Sequence, residues 1–259
     1  GSNAAVDANT NGTDSGLETT DLVVLMDPVT NSAHFIRSDN ARIYKLSLPA
    51  KPMAHTRLFN GTTRAWESYF LCGDGFIYYY AYNHGMTKSS TALANANSMW
   101  SSGTTLFVGG QGFVKILSDI NTVSQTITTT ENIVYGVTTG ATIFAVSESG
   151  KIFKVDNGAL TQLYSASMVG SPTVFKNQVV FPIPEEYKLR IYNIDGSFSQ
   201  DLPTGDLLPW ACVADRNATL AVTFADNTNV GLYTTLSGDP TMAAFAFKVT
   251  FAVPIGPAV

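Results

Sequence analysis

A unit of about 38 residues recurs along this chain, and a repeat of that length made of strands leaves few folds open. From Ile133 onward the sequence reads as short alternating apolar runs separated by turn residues, with no helical periodicity long enough to compete. Residues 132–164 show the unit as IVYGV, TTGA, TIFAV, SESG, KIFKV, DNGA and LTQLY, four strands joined by three tight turns. The order returns in PTVF, KNQ, VVFPI, PEEY, KLRIYNI, DGS, FSQDL and again in WACVA, DRNA, TLAVTF, ADNTN, VGLYTTL, SGDP, MAAFAF. Upstream, TLFVG, GQG, FVKIL, SDIN, TVSQTI fits the same template, and so does ESYFLC, GDG, FIYYYAY, NHGM. With the residue opening each third strand as a ruler, the marks fall at Gly75, Gly112, Gly150, Lys188 and Asn229, in steps of 37, 38, 38 and 41.

Even spacing over unlike sequences argues for one supersecondary unit copied in space, because each copy hides its apolar faces against its neighbours. Closed radial stacking of four-stranded sheets also removes the exposed edges of an open array. The hairpins KIFKVDNGALTQLY and LRIYNIDGSFSQDL resemble the outer-strand hairpins of β-propellers, and VVLMDPVTNSAHFI has a related look. Over residues 21–254 the chain resembles that superfold in architecture alone. No Trp-Asp dipeptide closes a strand, the Gly109-Gly110 pair occurs once where kelch repeats carry one per unit, and SESGKIF lacks the Asp and Trp of a sialidase-type box. The resemblance therefore implies a fold and no activity.

The expected fold class is all-β: a β-propeller of four-stranded antiparallel blades, six as the leading count, with five or seven as alternatives. Five units are intact. The sixth takes LVVLM, AHFIR and ARIYKLSL from the N-terminal side and VTFAVP as its innermost strand, so that N- and C-terminal strands close the ring. The segment 49–64 fits least well, since MAHTRLF before the Asn60-Gly61 turn also fits a displaced strand pair. Residues 21–259 read as a single propeller domain. Residues 1–20, almost wholly Gly, Ser, Asn, Thr, Asp and Ala at first, read as a flexible polar leader whose first four residues resemble an expression scar. The chain opens without a Met, which reads as a trimmed or processed start.

Composition narrows the setting. Hydrophobic residues make up 45% and aromatics 11%, ample for a core, while only 14% of residues are charged, against about 25% in an average soluble protein. The surface must be dressed in Ser, Thr, Asn and Gly, a pattern that points to an exported location, extracellular, cell-surface or virion. A net charge of −5 and the lack of any Lys/Arg cluster argue against a nucleic-acid partner. No apolar run approaches the roughly 18 residues of a membrane span. Cys72 and Cys212 sit in apolar strands of units that are not neighbours, and read as buried free thiols rather than a disulfide.

Turns between second and third strands face one end of a propeller, and here they offer Asp39, Asp74, Glu148, Glu185 with Glu186, and Asp226. A circle of carboxylates would suit a hard cation or a cationic partner. The opposite turns hold Asp119, Asp156, Asp195 and Asp239 as well, however, and acids at both ends are what tight turns select for themselves. Trp66, Trp100 and Trp210 fall at or near first strands, where stacking on a sugar competes with interblade packing. Phe76, Tyr78, Tyr80 and Tyr82 share one face of their strand, with Tyr79 on the other. His34, His55 and His84 are isolated and lack ligand spacing, so no metal site and no cofactor are expected. Asn11, Asn60 and Asn217 begin Asn-x-Ser/Thr triplets, acceptors only in a secreting eukaryotic host.

No catalytic motif supports an enzyme, although a Ser/His/Asp triad built from distant residues would leave no local signature. The leading expectation is a non-enzymatic extracellular or surface binding and assembly module that presents propeller loops to a protein or glycan. A glycan-active hydrolase or lyase at the channel mouth, and a purely structural virion or surface-layer component, are the alternatives.

Overall fold

The computed structural model describes residues 22–37, 43–60, 62, 65–81, 85–215, 219–224, 229–244 and 254–255. In chain order the strands are β1 (Leu22–Asp27), β2 (Ser32–Arg37), β3 (Ile43–Ser47), β4 (Pro52–Asn60), β5 (Ala65–Cys72), β6 (Ile77–Ala81) and β7 (Gly85–Lys88). Then come β8 (Ala96–Ser102), β9 (Thr105–Asp119), β10 (Thr122–Thr138), β11 (Ile143–Ser147), β12 (Lys151–Asp156), β13 (Ala159–Ser165), β14 (Thr173–Phe175) and β15 (Gln178–Ile183). After a 3-10 turn at Pro184–Glu186 follow β16 (Lys188–Asn193), β17 (Phe198–Pro203), β18 (Pro209–Asp215), β19 (Thr219–Phe224), β20 (Asn229–Tyr233), β21 (Thr241–Ala244) and β22 (Pro254–Ile255).

These strands form five antiparallel sheets, ordered β22-β1-β2-β3, β4-β5-β6-β7, β13-β12-β11-β10-β9-β8, β14-β15-β16-β17 and β18-β19-β20-β21. The fold is the β-propeller architecture with five blades. The two ends of the fold pair, Leu22 with Ile255 and Val23 with Pro254, which puts β22 at the edge of a sheet whose other three strands are N-terminal; of the expected strand VTFAVP, all but Pro254 lies outside the described residues. No helix among the described residues is long and apolar enough to cross a membrane.

The count of six gives way to five because of one segment. TLFVG and FVKIL were expected as two strands around a GQG turn, but both lie in the single strand β9. Gly112 has φ +89° within it. A glycine of positive φ serves a strand bulge as readily as a tight turn, and the flanking apolar alternation is the same in both cases. β8, β9 and β10 therefore extend the sheet of β11, β12 and β13 and make no blade of their own. The segment that fitted least well also resolves: MAHTRLF lies in β4, which pairs with β5 from Pro52↔Cys72 to Asn60↔Ala65 and supplies the first strand of its blade.

Two of the ruler residues share a backbone device with Asn31 and Tyr187. Gly75 and Gly150 have φ +82° and +86°, and Asn31 and Tyr187 each have φ +51°. Each is a left-handed residue just before the next-to-last strand of a meander, β2, β6, β12 or β16, and its carbonyl is bonded by the chain that follows the last one. Leu48 N donates to Asn31 O at 2.7 Å, Leu93 N to Gly75 O at 2.8 Å, Ala166 N to Gly150 O at 2.8 Å and Thr204 N to Tyr187 O at 2.8 Å. Glycine is required where the return passes closest: a Cβ on Gly150 would meet Ala166 O at 2.2 Å, and one on Gly75 would meet Leu93 O at 2.9 Å.

The chain divides into two compact units, one of residues 1–110, 115–126 and 252–258, the other of 111–114, 127–251 and 259. The core of the first unit joins Val24, Ala33, Phe35 and Leu46 to Phe70, Cys72, Tyr78 and Tyr80. In the second unit one cluster holds Phe144, Val146, Ile152, Phe181 and Tyr192, and another holds Phe175, Ile191, Cys212, Leu220, Phe224 and Tyr233. Alternation decides these memberships, since successive strand residues point to opposite faces. Cys72 and Cys212 are both free and buried, and burial pushes the Cys72 thiol up to about 12.

Candidate functional site

The β4-β5-β6-β7 sheet has two faces of different character. Phe70, Tyr78 and Tyr80 turn into the first unit's core, as the period of two requires. The register Leu58↔Glu67, Thr56↔Tyr69 and Tyr69↔Tyr79 puts Leu58, Glu67, Tyr69 and Tyr79 together on the opposite face. There they line a cleft of about 390 Å³, completed by Asn60, by Thr104 and Leu106 at the start of β9, and by Ser118, Asp119 and Ile120 where β9 turns into β10. All of these residues belong to the first unit.

The chemistry of the cleft is aromatic and anionic. Tyr69 and Tyr79 stack with ring centroids 5.2 Å apart and planes 20° from parallel. Glu67 is only 4% exposed and accepts from Asn60 Nδ2 at 2.5 Å. Asp119 is exposed at the rim and accepts from Asn121 N at 2.7 Å and from Thr122 Oγ1 at 3.1 Å. Burial, the Glu67 carboxylate, Tyr79 and the more distant Asp119 charge together push the Tyr69 phenol well above its usual value. Burial and Glu67 raise Tyr79 in the same direction. Among the described residues that line it, none is Lys, Arg or His.

A second aromatic and charged cluster lies in the second unit, on the outer strands β16 and β17. The Arg190 guanidinium sits 3.9 Å from the Tyr164 ring centroid and 4.2 Å from that of Phe198. It donates through Nη1 to both Asp201 carboxylate oxygens at 3.1 Å and through Nε to Tyr192 OH at 2.8 Å. Lys188 pairs with Glu186 at 2.9 Å and Asp201 at 3.1 Å, and Tyr164 OH donates a short bond to Glu186. Burial would raise Glu186, but the bonds from Tyr164 and Lys188 outweigh it and lower it. Here every charge is answered from within the chain, and the cluster braces the blade.

The described acids expected at one end are bonded from within the chain, Asp74 by its own turn and Glu148 and Glu185 by more distant residues. Asp74 accepts from Phe76 N at 3.1 Å and Tyr78 OH at 2.6 Å, Glu148 from Asn132 Nδ2 at 3.0 Å, and Glu185 from Ser167 Oγ at 2.6 Å. Asp226 lies outside the described residues, as does Asp39. Because β22 is the first strand of the clasp sheet, the second-to-third connection there is Asp27–Ser32 and not the one holding Asp39. Asp27 accepts from Thr30 Oγ1 at 2.7 Å and Val29 N at 2.9 Å, which lowers its pKa. Among the described residues no group of three or more His, Cys, Asp or Glu could hold a metal ion.

The tryptophans also separate. Trp100 is 6% exposed and stacks on Phe107 with centroids 5.7 Å apart, so its faces are core. Trp210 is 41% exposed. Trp66 lies in β5, on the strand that also carries Glu67 and Tyr69. His55 is buried beside Phe70, ring centroids 4.8 Å apart, and neither of its nitrogens has a hydrogen-bond partner among the described residues. The cleft itself combines β4, β5, β6 and the β9–β10 turn, a union that only strand pairing reveals. Its one signal in the sequence was Tyr79, alone on the far face of the FIYYYAY strand.

By sequence, no family profile and no curated protein matches the chain. By structure, the chain is similar to BBS1N, crystallised in complex with ARL6DN and soaked with lead, at TM-score 0.69 and 15% identity over 87% of this chain and 78% of that one. It is also similar to the computationally designed Ika8 protein, at TM-score 0.59 and 12% identity over 89% of this chain and 76% of that one. At such identities the likeness is one of fold.

Proposed function

We propose that the chain is a non-enzymatic binding module that receives a protein partner at the cleft of its first unit. The observation that carries this reading is the cleft's composition: stacked tyrosines beside Glu67 and Asp119, neither of which has an ion pair among the described residues. Tyrosine-walled concavities with a few placed polar groups are what recognition surfaces use. Elsewhere the carboxylates whose titration is shifted, Asp27, Glu131, Glu186 and Asp195, all move downward, opposite to the direction a general acid needs. A neighbour in fold, BBS1N, was crystallised with a protein, ARL6DN. With so few charged residues the module belongs on an exported or particle surface, a location that cell fractionation with antibody labelling would test.

Photocrosslinking tests the reading directly. A benzophenone amino acid at the exposed Ser118 should give a discrete protein adduct in extract of the source organism, and one at the exposed Ser197 in the second unit should not. Absence of any adduct specific to position 118 would overturn the proposal. A glycan-array signal abolished by Tyr79→Ala would move the partner class to carbohydrate and equally overturn it.

A further inference from the structure

We propose that the group received by the cleft is an arginine side chain of the partner, its guanidinium against the Tyr69–Tyr79 stack and paired with Glu67 and Asp119. The inference rests on the binding reading above and names the chemistry of its contact.

Three observations lead to it. First, Glu67 is 4% exposed, and the groups that bond it, the Asn60 amide and the Tyr69 hydroxyl, are neutral. A carboxylate taken out of water without a cation is unfavourable, and a cation arriving through the cleft offsets that cost. Asp119 at the rim adds a second negative charge, so the potential inside favours a cation over any anion or neutral group. Second, the stacked tyrosines offer a flat π surface. A guanidinium is planar and weakly hydrated, so it loses less water on stacking than an ammonium does, and its fork of donors matches a carboxylate.

Third, the molecule already contains this arrangement in complete form. Around Arg190 the guanidinium lies over Tyr164 and Phe198 while both oxygens of Asp201 accept from it. The cleft offers the same classes of partner, tyrosine faces and carboxylates, and among the described lining residues none brings the cation. Its volume of about 390 Å³ lies within the range of small-ligand sites, which run from about 300 to 1,000 Å³. A whole side chain therefore fits, and the opening past Thr104 and Ser118 leaves room for the backbone that bears it.

The test uses the full chain with tyrosines ¹³C-labelled and three blocked tripeptides, acetyl-Gly-Arg-Gly-amide, its lysine counterpart and its citrulline counterpart, followed by NMR over the millimolar range. The arginine peptide should shift the Tyr69 and Tyr79 signals saturably, the lysine peptide should bind several-fold more weakly, and citrulline, planar but uncharged, should not saturate. Glu67→Gln and Asp119→Asn keep the shapes and the turn bonds, so they should fold, and each should weaken the arginine peptide about fivefold or more. Asp156→Asn, in an exposed turn of the second unit, should leave it unchanged. Equal binding of citrulline or lysine, no saturable shift, or indifference to both cleft variants would overturn the assignment. A Ser118 crosslink to a partner protein alongside a silent arginine peptide would sink the guanidinium while leaving the binding reading intact.

Discussion

The Arg190 cluster and the cleft are made of the same side-chain types and do opposite things with them. Around Arg190, tyrosine, phenylalanine and carboxylate converge on a cation the chain supplies, and the result is a brace between strands β13, β16 and β17. In the cleft, tyrosines and carboxylates gather with no cation among the described lining residues. Residue types alone therefore do not separate a structural cluster from a recognition site. What separates them is whether the last charge is answered from within.

The two units can be tested against each other, starting with the backbone device they share. Gly150→Ala in the second unit drives a Cβ to 2.2 Å from Ala166 O and should cost about 3 kcal/mol in urea unfolding, while Gly75→Ala in the first, at 2.9 Å from Leu93 O, should cost about 2 kcal/mol. A reversed order would show that the first unit holds its returns more rigidly than the second. Arg190→Met should cost about 2 kcal/mol by the same measurement, because the Tyr192 hydroxyl loses the Arg190 donor and Asp201 is left with Lys188 alone.

Acid should separate the units next. Burial of the His55 ring, with Arg57 nearby, holds its pKa well below the ordinary 6.5. The unfolded chain therefore takes up a proton near pH 6.5 that the folded chain refuses. The stability tied to this ring is complete above that pH and is lost as pH falls from 6.5 toward the lowered folded value, at no more than about 1.4 kcal/mol per pH unit. All three histidines, His34, His55 and His84, lie in the first unit. Hydrogen exchange at pH 7 and pH 5 should thus show loss of protection in β4 and β5 ahead of β15 and β16. His55→Leu should flatten that difference and add about 1 kcal/mol at pH 7, since two unpartnered buried nitrogens go with it. Smallest of all, Glu67→Gln should change stability by less than about 0.5 kcal/mol, whereas Asp201→Asn should cost about 1 kcal/mol. Equal losses would make the cleft a brace like the other.

Much of this fold can be read from the chain because its signals are local. The strands from Ile143 to Pro203 match their runs of alternating residues, whereas TVSQTI and IVYGV, expected in different units, run together in β10. Gly112 misleads because a bulge and a turn ask the same thing of a glycine, namely positive φ, and differ only in where the following residues find partners. The cleft is harder still. Glu67, Tyr69, Tyr79 and Asp119 come from two strands and the β9–β10 turn, and their meeting depends on register, a quantity no single segment encodes. The turn acids Asp74, Glu148 and Glu185 drew notice for the opposite reason: turn chemistry is local and therefore conspicuous, whatever its role.

The pairing of Leu22 and Val23 with Ile255 and Pro254 has a temporal meaning. During synthesis β1, β2 and β3 emerge first, but their sheet waits for residues made almost a whole chain later. Contacts so distant in sequence form slowly, so the sheet whose strands are made first among the five is the last to be finished. Until then β1 presents an unpaired edge to its surroundings, which makes the interval before release the time when a chaperone or a second nascent copy can intervene.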